Sequence, residues 1–202
     1  MVIRDWSSDV CSSDLDELLN SLDVIMSQTQ KLSSTIDDFR KFFIEEHKEN
    51  KIYFNLKETI EKLESIISVL LIEKSIDLLL TLEDDIIIYG YQNELFQVIL
   101  NLVNNSIEAF EDKKNIFNKE IHISSFKDSN NIYIVTEDNA GGIQDEYIEK
   151  IFDPYFTTKH KKQGVGVSLY MCKEIVYKHH NGEIKVTNTK NGAKFTINIP
   201  TI

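Results

Sequence analysis

Residues 93–109, which read NELFQVILNLVNNSIEA, form the most informative stretch of this chain. Their apolar members recur at helical spacing, which predicts a helix over about Asn93–Phe110 with one buried face. Asn101 and Asn105 are four positions apart, so their carboxamides share a side of that helix. A carboxamide among apolar neighbours needs a partner. Either Mg²⁺ bridging to phosphate oxygens, or a backbone group or water, can serve as that partner.

Two glycine-containing segments lie further along the chain. Asp138–Ile143 reads DNAGGI and follows a predicted strand, so the Asp138 carboxylate can face an amino group while the backbone approaches a ligand. Gly164 and Gly166 precede a predicted helix, whose free N–H groups and positive dipole end attract an anion. This second segment is not a P-loop, because no Gly-Lys-Ser/Thr follows it, and it lacks the third glycine of a dinucleotide fingerprint. Taken singly, each segment is typical of an ordinary loop.

The remaining periodicity predicts an α+β fold with helices on one face of a mixed sheet. Antiparallel hairpins are expected from residues 120–126 with 131–137, and from 183–187 with 194–199. The other predicted elements are strands at 51–56, 76–82 and 86–89, and helices at 56–73, near 146–151 and at 165–180. Asn55 is expected to cap the helix at 56–73, and Asn181-Gly182 to end the helix at 165–180.

A separate helix is predicted upstream, from Asp16 to about Asn50. Its apolar seam follows a heptad pattern through Leu18, Leu22, Ile25, Thr29, Leu32, Ile36, Phe39 and Phe43. Such a seam favours a partner helix in a bundle or a second chain, the alternative being a helix folded back on its own domain. We therefore expect a helical segment at 15–50 and a domain at 51–202. Residues 1–14 fit neither and are interpreted as a non-native or disordered leader.

Composition excludes several classes of protein. The net charge of −11 argues against a nucleic-acid binder, which needs clustered Lys and Arg. Cys11 and Cys172 are far apart and lack metal-ligand spacing, which favours a reducing cytoplasm over a disulfide framework. No apolar run approaches the ~18 residues of a membrane span. We expect a cytoplasmic chain without direct membrane contact, whose parent protein can still be anchored in the inner membrane.

In order and spacing, these segments resemble four sequence boxes of the histidine kinase catalytic domain, a member of the gyrase/Hsp90/histidine kinase/MutL superfamily. The N box is residues 93–109, and the G1 box is Asp138–Ile143. The F box is IFDPYFTTK at 151–159, and the G2 box is GVGVSLY at 164–170. The resemblance covers about Lys51–Ile202. It implies a Bergerat-type ATP-binding sandwich, a mixed sheet covered by helices, with ATP and Mg²⁺ as cofactors.

The resemblance also assigns roles to single residues. Asn105 would coordinate Mg²⁺, with Asn101 beside it at the phosphate end, and these two are the expected catalytic residues. Asp138 would accept a hydrogen bond from the adenine amino group. Gly142 and Ile143 would let the backbone close on the base.

The F and G2 boxes would supply the rest of the nucleotide site. Phe152, Phe156 and Lys159 would belong to a lid that folds over the nucleotide. The backbone N–H groups around Gly164 and Gly166 would meet the phosphates, at the start of the helix that carries Leu169.

Three positions depart from the family pattern. Ala140 stands where the first G1 glycine is usual, which is tolerable only if that residue keeps a negative φ. Ser168 replaces the third G2 glycine and adds bulk at the helix start. Asn101 stands where gyrase-type relatives carry a Glu general base, which favours phosphotransfer over hydrolysis of ATP.

The phospho-accepting histidine box of the family is absent. None of the five histidines has the context of that box: His47, His122, His160, His179 and His180. The upstream helix therefore looks like the second helix of a dimerisation stalk, and the chain like a C-terminal fragment of a sensor histidine kinase.

The predicted function is transfer of the ATP γ-phosphoryl group to a stalk histidine outside this sequence. The phosphoryl group would then pass to an aspartate in the receiver domain of a response regulator. A homodimer formed through the stalk helix is expected. The alternatives are a non-catalytic nucleotide-binding or dimerisation module and an anti-sigma-factor-type serine kinase, which lacks a stalk helix.

Overall fold

The computed structural model describes residues 19, 21–22, 25–26, 50–111, 113, 116–158 and 165–201. The chain divides into two compact units, one of Glu49–Thr157 with Gly166–Ile202 and the other of Met1–Lys48 with Thr158–Val165. In chain order, the elements of the larger unit are β1 (Ile52–Asn55), α1 (Leu56–Lys74), β2 (Ile76–Leu82), β3 (Ile87–Gly90), α2 (Gln92–Glu111), β4 (Lys119–Lys127), β5 (Asn131–Asp138), α3 (Asp145–Ile148), α4 (Ser168–His180), β6 (Glu183–Asn188) and β7 (Ala193–Pro200).

The smaller unit contains helical residues at 19, 21–22 and 25–26. Leu22 and Ile25, two members of the predicted heptad seam, are 53% and 59% exposed. The rest of that seam and the predicted leader at 1–14 lie outside the described residues. The stalk helix and the domain division drawn from the sequence therefore remain predictions.

Five strands form one mixed sheet in the order β2-β4-β5-β7-β6. β2 and β4 are parallel, and the other neighbouring strands are antiparallel. In β7, buried residues alternate with less buried ones, because successive side chains of a strand point to opposite faces. Helices α1, α2 and α4 pack against this sheet. The predicted α+β fold, a mixed sheet covered by helices, is confirmed, and β1 and β3 add a separate two-stranded antiparallel sheet.

The core lies between the helices and the sheet. Leu56, Ile60 and Leu63 of α1 are fully buried, as are Leu95 and Ile99 of α2. Complete burial of a side chain of this size stabilises the fold by about 1.5–3 kcal/mol. The apolar faces that the spacing in the sequence predicts for these two helices therefore lie in the core.

The predicted helix ends are largely correct. The Asn55 side chain accepts a hydrogen bond from the Glu58 backbone N–H and caps α1, and Asn181 ends α4 in the left-handed conformation with φ 52°. The predicted start of α4 at residue 165 was wrong, since the helix begins at Ser168. Gly166 has a φ of 73°, which an α-helix does not accommodate. The helix predicted near 146–151 is shorter, because α3 ends at Ile148 and turns follow.

No helix among the residues described is both long enough and apolar enough to cross a membrane.

Candidate functional site

Asp138 ends β5 and is only 6% exposed. One carboxylate oxygen, Oδ1, accepts hydrogen bonds from the backbone N–H groups of Ala140 at 2.9 Å and Ala193 at 3.2 Å. The other, Oδ2, accepts a hydrogen bond from the Ser106 hydroxyl at 2.9 Å. A buried carboxylate is costly unless donors of this kind surround it. Three separate segments of the chain therefore hold this one side chain.

The Ser106 hydrogen bond brings α2 against the end of β5. Asn105 precedes Ser106 on α2 and is half-buried, and its amide nitrogen Nδ2 is buried without a hydrogen-bond partner among the described residues. Rotation of the amide about its terminal bond exchanges nitrogen and oxygen, so the group can present either atom there. Asn105 therefore carries a polar atom without a partner among the described residues, one position before the serine that contacts Asp138.

The fit of a metal ion can be judged from these donors. Within the described part of the chain, no group of three or more His, Cys, Asp and Glu side chains is placed to hold a metal ion. Mg²⁺ usually takes only one or two protein ligands and completes its coordination with phosphate oxygens and water. One amide oxygen from Asn105 fits that pattern, whereas a metal cage made of protein side chains alone does not.

Asn101 lies one helical turn before Asn105 and contacts α4. Its side chain hydrogen-bonds with the thiol of Cys172, which also approaches the Val98 carbonyl oxygen at 3.9 Å. Burial raises the pKa of Cys172 to about 12, so this thiol stays protonated. Asn101 and Cys172 therefore form part of the packing between α2 and α4, and Asn101 is half-buried there.

The turn after Asp138 follows the expected glycine pattern. Gly141 and Gly142 have φ values of 86° and 75°, which favour glycine. Asn188 of β6 holds the next residue, Ile143, from both sides: it accepts from the Ile143 N–H at 2.8 Å and donates to the Ile143 carbonyl at 2.6 Å. A Cβ on Gly142 would lie 2.7 Å from the Asn188 side-chain oxygen. Gly142 thus allows the backbone to pack against the β6–β7 hairpin.

The two substitutions in the glycine boxes are accommodated by the backbone. Ala140 is not among the described residues with positive φ, so the condition set for it from the sequence is met. Its N–H donates to Asp138, as described above. Ser168 is exposed and is the first residue of α4.

The predicted lid residues lie along the segment that precedes α4. Phe152 meets Phe195 of β7 edge-on, with ring centroids 6.4 Å apart, and the Lys173 amine lies 5.9 Å from the Phe152 ring centroid. Phe156 packs on Tyr147, with centroids 5.6 Å apart.

The lid segment also meets the start of α4. The Gly166 backbone lies so close to the Phe156 backbone that a Cβ on Gly166 would overlap it. Leu169 is half-buried in the first turn of α4, while Lys159 and Gly164 lie outside the described residues.

Contacts therefore join the Asn105 helix, Asp138 and the turn at Gly142 and Ile143 into one cluster, and they join Phe156 with Gly166 in another. Three members of the first cluster were not predicted from the sequence, namely Ser106, Asn188 and Gly192. A Cβ on Gly192 would overlap the Asp138 carbonyl oxygen. Ser106 could have been noticed as a polar residue on the apolar face of α2, whereas nothing near Asn188 in the sequence indicates its role.

Comparisons with known proteins identify the family and the fold. Residues 90–202, 113 of the 202 positions, match the family described as histidine kinase-, DNA gyrase B-, and HSP90-like ATPase. The chain is 27% identical to sporulation kinase B of Bacillus subtilis over 88% of its own length and 40% of that relative. It therefore spans less than half of that relative.

Two solved structures are also similar. The catalytic domain of histidine kinase ThkA is 31% identical, with a TM-score of 0.67 over 75% of this chain and 95% of that one. A structure of histidine kinase ThkA in complex with the response regulator protein TrrA shares the fold at 24% identity, with a TM-score of 0.73 over 99% of this chain and 53% of that one. The chain therefore belongs to the histidine kinase-, DNA gyrase B- and HSP90-like ATPase family, and it carries the catalytic domain of a two-component histidine kinase.

Proposed function

We propose that this domain binds Mg·ATP and transfers the γ-phosphoryl group to a histidine on a stalk helix outside this sequence. In that step the bond between the γ-phosphorus and the bridging oxygen breaks, a nitrogen–phosphorus bond forms, and ADP leaves. The phosphoryl group then passes to an aspartate of a response regulator. The observation that carries the proposal is the hydrogen bond from Ser106 to Asp138, because it brings the Asn105 helix against the base-reading carboxylate.

Asp138 reads the nucleobase in this proposal. Its Oδ1 accepts hydrogen bonds from two backbone N–H groups, while Oδ2 accepts one from a hydroxyl and retains a lone pair. That lone pair accepts a hydrogen bond from the exocyclic amino group of adenine. Gly142 and Ile143, held by Asn188, bring the backbone close to the base.

Asn105 would hold the metal ion through its amide oxygen, with Asn101 at the same end of the site. When bound, Mg²⁺ neutralises phosphate charge, which is most of what catalysis of phosphoryl transfer requires beyond positioning. The N–H groups around Gly166, before Leu169 on α4, would donate to the phosphates, and Phe152 and Phe156 would lie against the nucleotide. The roles of Lys159 and Gly164 remain those that the family resemblance implies.

The chemistry near Asn101 favours transfer over hydrolysis. An amide is not a general base, and the neighbouring thiol of Cys172 is fully buried with its pKa raised to about 12. Neither group can take a proton from an attacking water. In this proposal the stalk histidine, outside the domain, supplies the nucleophile.

The remaining partners follow from this mechanism. We expect a homodimer through the helix predicted at 15–50, docking of a receiver domain, no nucleic-acid ligand, and a cytoplasmic position for this part of the protein. The net charge of −11 agrees with the exclusion of nucleic acid.

A phosphotransfer assay tests the proposal. The 202-residue chain is mixed with a separate stalk protein that carries the phospho-accepting histidine, together with ATP labelled on the γ-phosphate. Acid-labile label on the stalk is expected, and Asn105→Ala should abolish it. The matched control is Asn104→Ala, one position away on α2.

Two outcomes would contradict the proposal in different ways. Binding of Mg·ATP in calorimetry without any labelled stalk would favour the non-catalytic nucleotide-binding module. Absence of nucleotide binding would contradict the ATP site itself.

A further inference from the structure

The Ser106 hydroxyl is the one side-chain donor to Asp138 among the described contacts. Ser106 is 2% exposed and Asp138 is 6% exposed, so water does not replace this contact. The hydroxyl also lies 3.4 Å from the Leu102 carbonyl oxygen, a normal partner for a serine in a helix. The contact with the carboxylate is shorter, at 2.9 Å, and hydrogen bonds to a charged acceptor are the stronger kind.

The geometry of the three donors fixes the plane of the carboxylate. Ala140 and Ala193 hold Oδ1 through backbone groups that no substitution of their side chains removes. Ser106 holds Oδ2, and without it the carboxylate could rotate about the bond to its Cβ. One acceptor direction on Oδ2 would then lose its defined orientation.

We propose that Ser106 is a positioning residue that aims Asp138 at the nucleobase and so makes the site selective for purines with a 6-amino group. This inference rests on the proposed function, in which Asp138 accepts from that amino group. With Oδ2 oriented by the hydroxyl, a 6-amino group donates to it. A 6-oxo group, as in guanine, would instead place an acceptor against an acceptor.

Calorimetry with two nucleotides tests the inference. The 202-residue chain and its Ser106→Ala variant are titrated with Mg·ATP and with Mg·purine riboside 5′-triphosphate, which lacks the 6-amino group. Ser106→Ala should weaken ATP binding about tenfold, because the adenine amino group would lose its hydrogen bond to a well-oriented carboxylate oxygen of Asp138. Binding of the analogue should stay unchanged, because it has no amino group for Asp138 to meet.

Ser125→Ala is the matched control. Ser125 is also buried, at 3% exposure, and its hydroxyl has no partner among the described residues. It lies on β4, and its removal should leave both affinities as in the wild type. Thermal unfolding of each variant verifies that alanine, which favours helices, leaves the fold intact.

The outcomes are separable. If Ser106→Ala weakened the binding of both nucleotides equally, Ser106 would have a purely structural role and the inference would be overturned. Unchanged binding of both nucleotides would also overturn it. Failure of the wild-type chain to bind ATP would overturn the proposed function, and the inference with it. Loss of ATP affinity alone would support both.

Discussion

At the level of single residues, Asp138 shows what the sequence could predict and what it could not. Its place after a strand and before two glycines predicts a side chain that faces a ligand. Its donors are Ser106, 32 positions away, and Ala193, 55 positions away. Contacts so distant in sequence are created by the pairing of β5 with β7 and the packing of α2, and no local pattern encodes them.

Replacement of Asp138 by Asn tests its role in reading the base. The Asn side-chain oxygen can still accept from Ala140 and Ala193, so the fold should persist. The amide nitrogen would then face the adenine amino group, donor against donor. We expect Mg·ATP to bind about 10- to 100-fold more weakly in calorimetry, as for a lost hydrogen bond to a charged group.

The control for this change is Glu137→Gln, in the neighbouring position of β5 and on the opposite face. Glu137 is half-buried and pairs loosely with Lys194, at 4.0 Å. Its neutralisation should leave ATP affinity unchanged. Equal effects of the two substitutions would mean that overall charge, and not Asp138 itself, determines nucleotide binding.

His180 at the end of α4 makes stability depend on pH. It is 5% exposed, and neither ring nitrogen has a hydrogen-bond partner among the described residues. Burial, and then the nearby charges of His179 and Lys51, lower its pKa from 6.5 to about 4. Below pH 6.5, His180 is protonated in the unfolded chain but remains neutral in the folded chain. The free energy of unfolding therefore falls as the pH drops towards 4.

Substitution of His180 by Leu should remove this dependence. The wild-type chain is expected to lose about 3 kcal/mol of stability from this residue between pH 7 and pH 4, at about 1.4 kcal/mol per pKa unit. Urea unfolding at both pH values gives the difference. His122→Gln, a change to a half-buried histidine on β4, should keep the loss. If His180→Leu lost as much stability as the wild type, His180 would not be the titrating group.

At the level of elements, helices were easier to predict than sheet topology. The apolar spacing of residues 93–109 gives α2 within a residue or so, and Asn55 and Asn181 mark helix ends by their own side-chain and backbone preferences. The parallel pairing of β2 with β4 has no local signal, because α2 and β3 lie between them in the chain. Gly166 shows a further limit, since only its left-handed φ moves the start of α4 to Ser168.

The β6–β7 hairpin supports the turn after Asp138, and Asn188→Ala tests that support. The substitution removes both hydrogen bonds between Asn188 and Ile143. We expect a loss of about 1–3 kcal/mol in the free energy of unfolding, since two backbone groups lose their partner. A several-fold weaker affinity for Mg·ATP should accompany it in calorimetry.

Asn191→Ala provides a matched control in the same hairpin. Asn191 is exposed, and its contribution to the turn is a backbone carbonyl that accepts from the Gly141 N–H at 2.7 Å. Alanine keeps that carbonyl, so affinity should not change. A stability loss in Asn188→Ala without any change in affinity would show that the hairpin does not shape the nucleotide site.

At the level of the whole molecule, the family and fold could be predicted because the four boxes keep their order and spacing over more than half of the chain. The roles of Lys159 and Gly164, which lie outside the described residues, remain predictions. So do the stalk helix and the dimer. The structure adds two contacts that the boxes do not predict: the hydrogen bond from Ser106 to Asp138 and the hydrogen bond from Ile143 to Asn188.

Cys172 can report on unfolding of the domain as a whole. It is fully buried between α4 and α2, and its pKa is raised to about 12, so the reactive thiolate is absent near neutral pH. In a Cys11→Ser variant, we expect slow reaction with a thiol reagent under native conditions, through rare unfolding, and complete reaction in denaturant. Saturating Mg·ATP should slow the labelling further, because the ligand binds only the folded state. Rapid native labelling would contradict this burial.

The anchoring of Asp138 by Ala193 has a consequence for biosynthesis. The ribosome makes Asp138 first and must add 55 further positions before Ala193 exists. At about 5–20 residues per second, this takes about 3–11 s. A nascent chain in that interval carries the carboxylate without one of its backbone donors and without the Gly192 backbone that packs against it. The complete set of contacts around Asp138 therefore forms only after translation has reached β7, and a premature stop codon before Gly192 would yield a product that lacks two of them.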